Sequence, residues 1–139
     1  MNSSGGRAWL PAALLVGVIY LLVGRLFAAP TTHVHAWRLA AWVVSAAAYG
    51  GHILYEHFRL RSSVRSTALH AAVAVAIGAF GLAVAGMIHS MSTGSGIRPA
   101  WRLALVVWPA VTAIPAFLVA LVAAAVLTRL SQRGDARQR

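Results

Sequence analysis

The side chains in this chain that can do acid–base or ligand chemistry are few: His33, His35, His52, His57, His70 and His89, with two acids, Glu56 and Asp135. Ser45, Tyr49, His52, Glu56 and Arg59 follow one another at steps of four, three, four and three, which sets them on one face of a helix. A carboxylate in apolar surroundings must pair or take up a proton, because its charge is poorly solvated there. His52, one turn back, and Arg59, nearly one turn ahead, are partners within reach of Glu56. His52, Glu56 and Arg59 are therefore either an internal salt bridge at a membrane boundary or the centre of a proton or cation path. No matching polar residues lie deep in the other apolar segments, which argues against a continuous pore through one protomer.

The histidines also read as ligands. If the segments before and after residues 63 and 64 form an antiparallel hairpin, His57 and His70 come to the same depth, with His52 an alternative to His57. His89 then comes level with His35 or His33. Two layers of imidazole pairs near opposite membrane faces is an arrangement in which bundles hold b-type haem, with arginines to meet the propionates. Arg59, Arg61 and Arg65 lie near one layer, and Arg25, Arg38, Arg98 and Arg102 near the other. Against haem b as cofactor, directly connected helices pack about 8–10 Å apart, too close for a porphyrin between two imidazoles. His70 and His89 are also separated by roughly 28 Å of helix, which puts both near membrane edges, where histidine is common. His33-Val34-His35, with His89 nearby, is at most a weak metal site.

These residues must be positioned by apolar helices. Trp9 to Ala29, Trp37 to Phe58, Ala68 to Ile88 and Leu103 to Leu127 are each near the roughly 20 residues that cross a hydrocarbon layer about 30 Å thick. Hydrophobic residues make up 60% of the chain and charged residues 10%, an imbalance that a water-soluble domain of this size cannot bury. The expected fold is all-α: one integral membrane four-helix bundle over residues 1–128, running up-down-up-down. Its helices are expected at about 9–29, 36–59, 67–89 and 101–128, followed by a basic, frayed cytoplasmic tail over 129–139.

All 12 basic residues are arginine, and the formal charge is +10. The arginines are scattered through short connections and the C-terminus instead of forming an aromatic-interleaved stripe, so nucleic acid is not an expected partner. They report orientation. With the N-terminus inside, eight fall on the cytoplasmic side and four outside, which predicts both ends in the cytoplasm of a bacterial-type inner membrane. Trp9, Trp37 and Trp101 stand at segment starts as depth anchors. A competing reading makes the first segment a cleaved signal peptide ending at Leu26-Phe27-Ala28-Ala29; its length and Arg25 argue against that.

The connections are short. Pro30 to His35 links the first two helices, and Arg61 to Thr67 turns the chain back, with Ser66 or Thr67 as N-cap. Helices two and three are thus expected to be neighbours. Ser92 to Gly96 reads as the most mobile interior loop, with Pro99 opening the fourth helix.

Ala71, Ala74, Gly78, Gly81 and Ala85 recur at three- and four-residue steps, a small-residue face suited to close helix packing or to a flat ligand. Gly50 and Gly51 leave space on helix two. Pro109 and Pro115 should bend helix four, with Thr112 between them able to bond a freed carbonyl. The absence of cysteine excludes disulfides, thiolate catalysis, cysteine-held iron–sulfur clusters and c-type haem attachment. Paired carboxylates and glycine-rich phosphate loops are lacking, and Ser90 and Ser92 beside His89 have no orienting acid.

The expectation is a small, non-enzymatic structural or accessory component of a membrane complex or homo-oligomer, with the lipid bilayer as its medium. The alternatives are a bis-histidine b-type electron carrier and a proton or cation transporter built on His52 and Glu56.

Overall fold

Ser63 starts the central helix. Its hydroxyl oxygen accepts from the amide of Ser66 at 3.3 Å, so α3 (Val64–Ser92) begins a turn earlier than a cap at Ser66 or Thr67 would place it. The computed structural model describes residues 9–26, 32–93 and 99–137. These form three further helices: α1 (Trp9–Leu26), α2 (Val34–Phe58) and α4 (Pro99–Arg137). The end of the first segment and the loop after Thr93, with the signal-cleavage and loop-mobility expectations, lie outside the described residues.

Helices α1, α3 and α4 are long and apolar enough to cross a membrane, which marks the chain as a membrane protein. With 25 residues α2 is long enough, but it falls short in apolarity. Arg38, Glu56 and three histidines, His35, His52 and His57, dilute its aliphatic content. Three of the six histidines and Glu56 thus lie on the helix least suited to lipid.

Packing centres on α3, which lies most extensively against α4, then against α1, and only slightly against α2. That order differs from the expectation that the two directly connected helices pack as close neighbours. Glycines explain the α1 side. A Cβ on Gly78 would come within 2.6 Å of the Cβ of Tyr20 and 3.1 Å of the Gly17 carbonyl oxygen; one on Gly17 would meet Ile77 Cγ2 at 2.7 Å. The two backbones approach in the small-xxx-small manner, where dispersion contacts replace the missing side chains. Ala71, Ala74 and Gly78 are buried, while Gly81 and Ala85, further along the same face, are half-buried. On the α4 side, Ala68 and Ala71 meet Ala120, with Ile53 of α2 completing the cluster.

Helix α4 has 39 residues and continues through the segment expected to fray, as far as Arg137. At 1.5 Å per residue it is roughly 58 Å long, well beyond one hydrocarbon thickness. Pro109 and Pro115 both lie inside it. Thr112 Oγ1 is 2.9 Å from the Trp108 carbonyl oxygen and 3.1 Å from that of Pro109. Neither is a carbonyl that proline deprives of its amide partner, which would be Leu105 and Val111. Thr112 thus back-bonds within its own turn.

Candidate functional site

The short α2–α3 connection builds the most polar place in the interior. Arg61 adopts a left-handed backbone with φ 50°, and the chain reverses there so that the Ser62 amide reaches the Glu56 carbonyl oxygen at 3.1 Å. The Ser62 hydroxyl donates to Glu56 Oε2 at 2.7 Å. One serine thus holds both the backbone and the carboxylate of Glu56. From α3, His70 Nδ1–H donates to the same Oε2 at 3.0 Å. Glu56 is fully buried and His70 is half-buried, so both contacts lie in a water-poor setting where a hydrogen bond is strengthened.

Trp9 of α1 closes this site from a third side. Its ring stacks on the His70 imidazole with centroids 4.1 Å apart and planes within 3° of parallel. Three helices and a turn therefore converge on one carboxylate. The second oxygen, Oε1, has no hydrogen-bond partner, and the same holds for Thr67 Oγ1 and for both ring nitrogens of His52. Such unmet buried groups are uncommon in folded proteins.

The partners of Glu56 differ from those expected. His52 does not bond it, and Arg59 is exposed at the end of α2, its amide capping onto the Tyr55 carbonyl oxygen at 2.9 Å. The reason is rotational: the face carrying Glu56 turns toward α3 and the turn, whereas Arg59 lies beyond the last helical residue, where its guanidinium can reach water.

The histidine layers are likewise rearranged. His70 gives its Nδ1 to Glu56 and a ring face to Trp9, while His57, half-buried, packs edge-on against Phe58. His33, His35 and His89 are exposed. His33 takes a left-handed conformation, φ 53°, at the start of α2. Among the described residues no three His, Asp or Glu side chains are grouped so as to hold a metal ion.

Two polar contributors could not be read from spacing alone. Ser62 lies in a serine-rich turn with nothing to single it out, and Trp9 reads as a depth anchor when it is also a lid on His70. Tyr49, by contrast, sits on the face shared with His52 and Glu56, and its hydroxyl donates to the Ala116 carbonyl oxygen, tying α2 to α4.

Two clefts flank this face. One of ≈ 460 Å³ lies between the helices on the far side of Tyr49, with Ser45 and Thr112 its hydroxyl-bearing aliphatic residues. The other, ≈ 470 Å³, separates α1 from α2 and is lined by His52. Chemically the arrangement can hold a proton or accept a hydrogen-bonding ligand; it offers no activated nucleophile. Comparison with protein-family models, with curated proteins and with solved structures finds no match to this chain.

Proposed function

We propose that the chain is a small, non-enzymatic membrane component, running up-down-up-down with both ends in the cytoplasm, that assembles through α2 with further copies of itself or with a larger membrane complex. The observation that carries this reading is the contrast between its glycines. Gly17, Gly24, Gly78 and Gly86 each stand where an added Cβ would meet a neighbouring side chain at 2.6–2.7 Å. A Cβ on Gly50 would meet nothing within 4 Å. Gly50 continues a stripe with Leu39, Val43, Ala47 and Leu54, the three larger members of which are exposed, and Trp42 beside it is 76% exposed. This stripe is an apolar face with a small residue at its centre, open for another helix to pack against. Partners are lipid and protein; the scattered arginines do not favour nucleic acid, and a bacterial-type inner membrane fits their distribution.

The chain lacks cysteine, so single-cysteine variants report cleanly. Oxidation in native membranes should give disulfide dimers with Ala47→Cys and Gly50→Cys but not with Val122→Cys on the exposed face of α4. Equal yields at all three positions, or native mass spectra from lipid discs showing only monomer, count against assembly through α2.

A second reading is favoured by the unbonded Oε1 of buried Glu56. Under it, Glu56 with His52 and His70 is a proton-holding site in a transporter. Arg59 is too exposed to share in it. Proteoliposome proton flux unchanged by Glu56→Gln would dispose of that reading.

A further inference from the structure

We infer that the end of the molecule formed by the α2–α3 turn and the outgoing part of α4 is a docking surface for the headgroup of an anionic phospholipid, held by Arg61, Arg65 and Arg129. Helix pairing brings these residues to one end. Gly86 stands against Trp101 and Ala71 against Ala120, so α3 and α4 run antiparallel. Outward from Ala71 and Ala120, α3 reaches Arg65 and then the turn with Arg61, while α4 reaches Arg129 and Arg133. Tyr49 bonded to Ala116, and Ile53 beside Ala120, carry the end of α2 with Arg59 to the same place. All five arginines are exposed.

Their charge is not answered within the described part of the chain. Of the two acids, Glu56 is fully buried with Oε2 committed to Ser62 and His70, and the one ion pair among the described residues is that of Glu56 with His70. The hydroxyls of the turn are also engaged locally, Ser62 on Glu56 and Ser63 with Ser66. What remains to meet a ligand is guanidinium, whose planar fork of N–H donors fits a phosphate bidentately. Lipid is the source of that phosphate because of what lies directly inward. Phe58 beside Arg59, Leu69 one turn inward from Arg65, and Val126 nearly one turn inward from Arg129 are all exposed. Phosphate at the arginines and hydrocarbon beneath them is the profile of a phospholipid, whereas a water-soluble polyanion would leave those apolar side chains uncovered. A zwitterionic headgroup brings its own cation, so the surplus of arginine selects an anionic one. The opposite end differs: Arg25, Arg38 and Arg102 stand on three separate helices, while Arg59, Arg61 and Arg65 fall within seven consecutive residues. The inference uses neither assembly through α2 nor a proton site at Glu56, and it stands or falls apart from both.

The test uses the full chain in lipid discs of equimolar phosphatidylglycerol and phosphatidylcholine, released into native mass spectrometry so that retained lipid is identified by its mass. The wild type should retain phosphatidylglycerol over phosphatidylcholine by about tenfold or more, since each arginine near an anionic surface is worth about fivefold. Replacing Arg61, Arg65 and Arg129 together by Gln should remove most of that preference. Replacing Arg25, Arg38 and Arg102 by Gln should leave it in place. Should the first triple variant not be produced, the wild type is measured at rising ammonium acetate instead, where screening should shrink the preference. Equal retention of the two lipids by the wild type overturns the inference. So does equal loss in the two triple variants, and so does a preference indifferent to salt. Tight binding of a single-stranded oligonucleotide to the chain in phosphatidylcholine discs, abolished in the first triple variant, would overturn it by assigning the arginines to nucleic acid.

Discussion

Trp9 and His70 lie flat against each other across the α1–α3 interface, planes within 3°, while His70 reaches on to Glu56. The stack fixes the plane of the imidazole, and that plane decides whether Nδ1 points at the carboxylate. Trp9→Ala and His70→Ala should therefore be less than additive. A double-mutant cycle by thermal or denaturant unfolding in lipid discs should return a coupling of about 1 kcal/mol, the usual worth of a stacked aromatic pair beyond its area. Strict additivity would mean that the stack does not orient the ring.

Glu56 is the acceptor for two donors, so its replacements should rank by what they leave behind. Glu56→Gln keeps an acceptor oxygen and should cost about 1 kcal/mol. Glu56→Ala strands the Ser62 hydroxyl and the His70 N–H together and should cost about 2–4 kcal/mol. Equal losses for the two variants would show that packing volume, not hydrogen bonding, is what Glu56 supplies.

The glycines make a matched pair of experiments. Gly78→Ala places a Cβ within 2.6 Å of Tyr20 and should pry α1 from α3, lowering the melting temperature. Gly50→Ala meets open space and should be neutral or stabilising by about 0.5–1 kcal/mol, since the helix loses a flexible residue. Reversed signs would contradict the placement of the two faces.

Haem b can be decided by an absorption spectrum. Protein purified from haem-replete cells should show no Soret band, because the His70 ring is engaged by Glu56 and Trp9 and the outer histidines are exposed. A band that disappears in His70→Ala or His57→Ala would restore the bis-histidine reading.

Orientation has its own readout. With a membrane-impermeant thiol reagent on intact cells, Thr32→Cys should label, and Arg61→Cys and Ser131→Cys should be protected until the membrane is broken. Labelling of all three positions from one side would end the proposed alternation.

Apolar run length located the helices to within a few residues in most places, since lipid-crossing segments are defined by what they lack. The exceptions have physical causes. The charged sequence after Thr128 reads as tail, yet Arg129 and Arg133 point outward from a helix already nucleated by the apolar turns before them, and extension is easier than nucleation. At the site, counting from the turn fixed depth: residues 56 and 70 lie equally far from Ser63, one position from the expected pairing of His57 with His70. A step of one residue rotates a helical side chain by about 100°, so correct depth with the wrong phase selected the neighbour. Phase depends on how α2 leans against α1 and α3, and that is a property of the whole bundle. The Trp9 stack belongs to the same class, because it joins residues from helices not adjacent in sequence.

The surplus length of α4 carries a mechanical consequence. Its last three turns form one rod with the part packed on α3, so Arg129 and Arg133 travel with any tilt of the buried portion. A probe attached beyond Leu127 would act as a pointer, turning small rearrangements inside the bilayer into larger displacements in the water beside it.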